Sequence, residues 1–131
     1  MRTLIVEDDA LLGGIWHEVL VDAGHEAIVV DEAECARKLL LTHAFDAVVL
    51  DLMLGEDSGL SVAALANYAN PDCCVVVVTG SALFARGELF GMAPNITSVL
   101  RKPVSIFELL AVIEYETGRG HRTGSRQRSY G

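Results

Sequence analysis

Cysteine is scarce in this chain: three among 131 residues, at Cys35, Cys73 and Cys74. An odd count with one adjacent pair makes no disulfide framework, and no C-x-x-C spacing suggests a zinc site. All three read as small, buried or half-buried apolar side chains. Long apolar runs are missing too. The apolar runs present, such as positions 47–50 and 73–78, are short, and all are far too short to span a bilayer. The N-terminus passes from Met1 directly to the acids Glu7, Asp8 and Asp9, so nothing there reads as a signal peptide. These absences point to a soluble cytoplasmic protein with no membrane contact. Basic residues are the third shortage. Residues 1–117 hold 6 Lys/Arg against all 18 Asp/Glu, a balance of −12, whereas the last 14 residues hold Arg119, Arg122, Arg126 and Arg128 and no acid. So acidic a body repels the phosphates of nucleic acid, and no direct nucleic-acid binding is expected. It suits a divalent cation.

What the chain does have is apolar residues in a repeating order. The hydrophobic share is 51%, enough for a real core, and the length fits one compact domain. Short β-rich apolar runs alternate with helical spacing five times. Strands are predicted at 4–6, 27–30, 45–50, 75–78 and 98–100. Helices are predicted from Leu11, Leu12, Ile15, Trp16, Val19 and Leu20 up to Gly24, then at 33–43, 58–68, 83–90 (weaker) and 106–115. Asp9 is the expected N-cap of the first helix. Unbroken Val/Ile/Leu strands are buried on both faces, as in a parallel sheet covered by helices. The pattern predicts an α/β fold with a doubly wound parallel sheet of five strands.

Such a sheet binds its ligand beyond the C-terminal ends of its strands. The residues that follow the strands are Glu7, Asp8 and Asp9 after the first, Asp51 after the third, Thr79 after the fourth, and Lys102-Pro103 after the fifth. Clustered carboxylates repel one another unless a cation sits among them, and hard oxygen ligands suit Mg²⁺. A lysine opposite them can pair with a carboxylate or a phosphoryl oxygen, and a hydroxyl can donate to a second oxygen. Together these groups form an inventory for phosphoryl transfer to a carboxylate.

The order Glu7-Asp8, Asp51, Thr79, Lys102-Pro103 on this alternation resembles the receiver domain of two-component response regulators. The resemblance covers residues 2 to about 117, and the stretch Leu50-Asp51-Leu52-Met53-Leu54 with Gly59 is similar to the family's phosphorylation-site segment. It implies a flavodoxin-like sheet of order 2-1-3-4-5. It also implies that Asp51 accepts the phosphoryl group, that Thr79 and Lys102 contact it, and that Glu7, Asp8, Asp51 and the Met53 carbonyl hold Mg²⁺. The implied phosphodonor is a histidine kinase or a histidine phosphotransfer protein. The implied output is altered protein–protein contact or onward transfer, with self-catalysed chemistry instead of metabolic enzyme activity. The bond before Pro103 is expected to be cis. Met53 and Ser81 match the positions where the family tunes hydrolysis of the phosphoryl group.

Three departures stand out. Val99 occupies the place of the family's usual aromatic, Gly80 that of a frequent alanine, and Gly55-Glu56-Asp57 a loop where proline often stands. Two other readings compete: a pseudo-receiver used as a phosphorylation-independent binding module, and a fragment of a longer regulator or hybrid kinase. A dehalogenase-type phosphatase needs a second Asp where Met53 stands, and no G-x-x-x-x-G-K-[ST] loop is present. Residues 1–117 are read as the receiver and 118–131 as a flexible basic tail too short for an output domain.

Overall fold

A computed structural model describes residues 1–54, 57–80 and 93–129, with side chains up to residue 118 apart from residues 57 and 58. The strands are β1 (Arg2–Val6), β2 (Glu26–Val30), β3 (Ala47–Leu50), β4 (Met53–Leu54), β5 (Asp57–Ser58), β6 (Cys74–Thr79) and β7 (Ile96–Arg101). The helices are α1 (Ala10–Asp22), α2 (Ala33–Thr42), α3 (Leu60–Ala69) and α4 (Ile106–Ser129). Five strands form one all-parallel sheet in the order β2-β1-β3-β6-β7. Counting only those five, this is the 2-1-3-4-5 order of the flavodoxin-like fold.

The alternation of side chains along each strand sorts the core into two layers. Leu4, Val6, Val48, Leu50, Val75 and Val77 face Ala33, Ala36 and Leu40 of α2 and Val62, Ala63 and Ala66 of α3. Ile5, Val49, Val76 and Val78 face Trp16 and Leu20 of α1 and Leu109 and Ile113 of α4. Both faces of the central strands are buried, so their interior positions are aliphatic apart from Thr3 of β1. Cutting one such aliphatic side chain to Ala costs about 2–5 kcal/mol.

Local signals set the helix ends. Asp9 caps α1, accepting the Leu12 N–H at 3.1 Å. Glu32 precedes α2 in an extended conformation without a side-chain cap. Gly24, at φ +93°, takes the chain out of α1 into β2, a conformation that a Cβ would strain.

The third helix begins at Leu60, not at position 58, because Met53–Leu54 and Asp57–Ser58 pair as a small antiparallel ladder. The fifth strand of the sheet is longer than residues 98–100 suggested and carries an irregularity opposite Val75/Val76. The last helix differs most. It continues past Tyr115 to Ser129, since no proline follows Pro103 and extending an existing helix adds one hydrogen bond per residue fixed. The helix predicted at 83–90 and the loop residues Gly55 and Glu56 lie outside the described residues. Among the described residues no helix is long and apolar enough to cross a membrane.

Candidate functional site

Four of the five sheet strands, β1, β3, β6 and β7, hand polar residues to the same rim, and the backbone ladder continues far enough to hold them there. Glu7 N–H donates to Val30 O at 3.0 Å, Asp51 N–H to Val6 O at 3.0 Å, and Lys102 N–H to Thr79 O at 3.0 Å. The three residues after β1, β3 and β7 are therefore fixed to neighbouring strand ends. Thr79 closes β6 itself, in register with Arg101.

The side chains then converge. Glu7, Asp8 and Asp51 each place a carboxylate oxygen within 4.8 Å of the other two. Glu7 is 1% exposed and Asp51 4%, while Asp8 stands at the solvent edge. Lys102 Nζ lies 2.8 Å from Glu7 Oε1 and 3.0 Å from Asp51 Oδ2. The other Asp51 oxygen, Oδ1, accepts the Met53 N–H at 2.9 Å, so the plane of this carboxylate is held from both sides. Thr79 is buried beside this rim at 5% exposure. Asp9 N–H donates to Glu7 Oε2 at 3.1 Å. The bond between Lys102 and Pro103 is cis.

Charge follows from this packing. Burial pushes the Glu7 carboxyl up to about 6, with Asp51's charge adding to the rise and Lys102 and the Asp9 N–H opposing it. For Lys102 burial acts downward, but its bonds to Glu7 and Asp51 outweigh that and hold the ammonium above its ordinary value. Three carboxylates against one ammonium leave an acidic pocket, which fits a small hard cation that takes oxygen ligands.

Every side chain singled out in the sequence for this rim is near it: Glu7, Asp8 and Asp51 in one cluster, Lys102 bonded to two of them, Thr79 at the neighbouring strand end. Met53 contributes its N–H to Asp51 and leaves its side chain half exposed. Ser81 lies outside the described residues. Val99 is buried in the layer facing α2 and α3, leaving no aromatic ring at that point of β7. Asp9 stays a helix cap.

Two contacts go beyond the sequence reading, which placed Gly59 only in the phosphorylation-site segment and Trp16 only on the apolar stripe of the first helix. Gly59 sits so close to the Asp51 carbonyl that a Cβ there would lie 2.5 Å from the oxygen, which lets α3 start directly beneath the site. Trp16, one of the apolar residues at helical spacing in α1 and buried in the core, also lies under Lys102, whose Nζ is 6.0 Å from the ring centroid. No spacing rule announces either contact.

Known proteins resemble this chain in sequence and in fold. The transcriptional regulatory protein DltR of Streptococcus agalactiae is 28% identical over 117 residues, covering 89% of this chain and 52% of DltR. The chain thus spans about half the length of such relatives. A CheY-like receiver domain from Methanospirillum hungatei superposes with a TM-score of 0.86 at 22% identity, over 93% of this chain and 97% of that one. The receiver domain of a Pseudomonas aeruginosa sensor histidine kinase, solved with a magnesium ion coordinated in its active site cleft, gives 0.75 at 21% identity, over 89% and 97%. Residues 3–114 match the family described as the response regulator receiver domain, and the chain belongs to it.

Proposed function

We propose that Asp51 takes a phosphoryl group from a phosphohistidine donor, on a histidine kinase or a histidine phosphotransfer protein, with Mg²⁺ held by Glu7, Asp8, Asp51 and the Met53 carbonyl. The observation that carries this reading is the meeting of three strand-end carboxylates within 4.8 Å of one another, with Lys102 bonded to two of them. In the transfer the donor's N–P bond breaks, an Asp51 oxygen bonds to phosphorus, and the electron pair leaves with the imidazole. Asp51 is poised for this because the Met53 N–H and the Lys102 ammonium fix its plane. Lys102 then turns from the Asp51 oxygen to a phosphoryl oxygen, and the Thr79 hydroxyl donates to another. Mg²⁺ bound at the carboxylates offsets charge on the phosphoryl oxygens. The chemistry is positioning and charge neutralisation, so the domain acts as a self-phosphorylating switch and not as a metabolic enzyme.

We place the domain in the cytoplasm; its three cysteines, Cys35 exposed against the expectation of burial and Cys73 and Cys74 buried, form no disulfide, which suits a reducing compartment. Its body of −12 favours protein partners over direct contact with nucleic acid. The arginine-containing stretch after residue 117 is read as an appendage to the receiver: Glu116 and Thr117 are the last buried residues of α4 for which side chains are described.

Intact-mass spectrometry after incubation with a small phosphodonor and Mg²⁺ tests the assignment. The wild-type chain is expected to gain one phosphoryl group and Asp51→Asn none. An undiminished gain in the Asn variant places the acceptor elsewhere.

A further inference from the structure

Lys102 is held by two carboxylates, yet phosphoryl transfer needs its ammonium to let go of Asp51 and follow the incoming oxygens. Beneath it lies an aromatic surface. Trp16 is 1% exposed and packs with Ile5, Val49, Val78 and Leu109 in the layer between the sheet and α1 and α4. The Lys102 ammonium is over its ring at 6.0 Å from the centroid, the outer limit for attraction between a cation and a ring quadrupole. The indole is not anchored by its N–H: Nε1 is fully buried and has no hydrogen-bond partner among the described residues. A buried donor without a partner is unfavourable, and a Phe or Leu at this place would avoid that cost. What the indole supplies instead is the largest ring face of any side chain, turned to the one ammonium at the rim.

We propose that Trp16 is a positioning residue for Lys102, its ring forming the floor on which the ammonium moves between Asp51 and a phosphoryl oxygen. The proposal rests on the reading of Asp51 as phosphoacceptor. The attraction to a ring face is broad and falls slowly with lateral displacement, unlike a hydrogen bond. The ammonium can therefore exchange one oxygen partner for another without losing its contact with the indole. Both carboxylates pull Lys102 toward the rim, and the ring keeps it from swinging out to solvent when one of them is modified.

Trp16 is the only tryptophan of the chain, so its emission reports on Lys102 directly. In the ligand-free protein Lys102→Met is expected to shift the emission maximum, whereas Arg101→Met, on the exposed neighbour, leaves it in place. Phosphorylation by a small donor supplies the second readout. Trp16→Leu is expected to slow it about threefold to tenfold and Trp16→Phe to recover most of the loss. In the Lys102→Met background Trp16→Leu adds nothing further, because its effect passes through the missing ammonium. An unchanged emission maximum in Lys102→Met overturns the proposal, and so does an equal loss from Trp16→Leu in both backgrounds. Should Trp16→Leu not fold, Trp16→Phe and the emission comparison, made with the native tryptophan in place, still decide it. A wild-type chain that takes no phosphoryl group overturns the phosphoacceptor reading instead, while the emission shift still decides whether Trp16 senses Lys102.

Discussion

Glu7 sits under the rim with 1% of its surface exposed, and burial is the first cause of its carboxyl rising to about 6. The folded chain thus keeps a proton on Glu7 that the unfolded chain releases at its ordinary value of 4.5. Between those two values the native state binds more protons than the unfolded state, so this group's contribution to stability falls as pH rises through the window. The loss amounts to at most about 2 kcal/mol. Lys102 follows the same sign in a far higher window: its raised value stabilises the fold at all lower pH and is lost only in strong alkali. The Glu7 proton also competes with any cation at the cluster. Apparent Mg²⁺ affinity is expected to be about fourfold weaker near pH 5.5 than near pH 7.5, because metal binding must displace that proton. Isothermal titration at the two pH values checks this, and Glu7→Gln should flatten the profile. A wild-type profile already flat across this range removes Glu7 from the cation site.

The turn between β3 and α3 is the element that aims Asp51. Gly59 N–H donates to Leu52 O at 2.8 Å, and the missing Cβ leaves room for the Asp51 carbonyl. In Gly59→Ala the new methyl would meet backbone at 2.5 Å, so the turn itself must move. A destabilisation of about 1–3 kcal/mol is expected, as for other overpacked sites, together with slower phosphorylation. Urea midpoints and phosphorylation rates measured side by side check it; an unperturbed midpoint means the turn yields freely. At the other end of the chain, Gly118 of α4 is exposed and a Cβ there would meet nothing within 4 Å. Truncation after Gly118 is expected to leave phosphorylation unchanged and stability within about 0.5 kcal/mol. A large loss of phosphorylation on truncation would show that the removed segment reaches the site.

These elements also show what a sequence can disclose. The ends of the five sheet strands were legible because each apolar run stops at a polar residue, and the strand-end rule converts that into one rim. Asp9 was legible as a cap from its place before an apolar stripe. The β4–β5 ladder was not, since two-residue strands leave no periodic trace. Nor was the length of α4: Gly118, Gly120 and Gly124 read as linker, although a preformed helix propagates through such residues at modest cost. At the site itself, residue types were readable but partners were not. That Lys102 bonds to Glu7 as well as Asp51 depends on how the strand ends are set side by side, and that it rests over Trp16 on how α1 is laid across the sheet.

For the molecule as a whole, the decisive quantity is charge. A body at −12 gathers three of its acids within 4.8 Å, and only Lys102 among the described residues bonds to two of them. Crowding of this kind raises the free energy of the folded state, because unfolding lets the carboxylates separate. A divalent cation that binds only the folded form stabilises it by RT ln(1 + [L]/Kd), or about 2.7 kcal/mol at a hundredfold excess over Kd. For a domain of this size the melting temperature is then expected to rise by about 5–10 °C. Asp51→Asn should blunt the Mg²⁺ response. Its own effect on the metal-free protein is smaller than charge alone suggests, since Lys102 loses one partner while Glu7 keeps it. General screening of the −12 body is the competing cause of stabilisation, and it acts through ionic strength whatever the salt. Melting curves in Mg²⁺ and in NaCl at matched ionic strength separate the two. A rise in Mg²⁺ no greater than in the matched NaCl means the three acids do not form a cation site, and phosphoryl transfer at Asp51 then loses the charge neutralisation on which it depends.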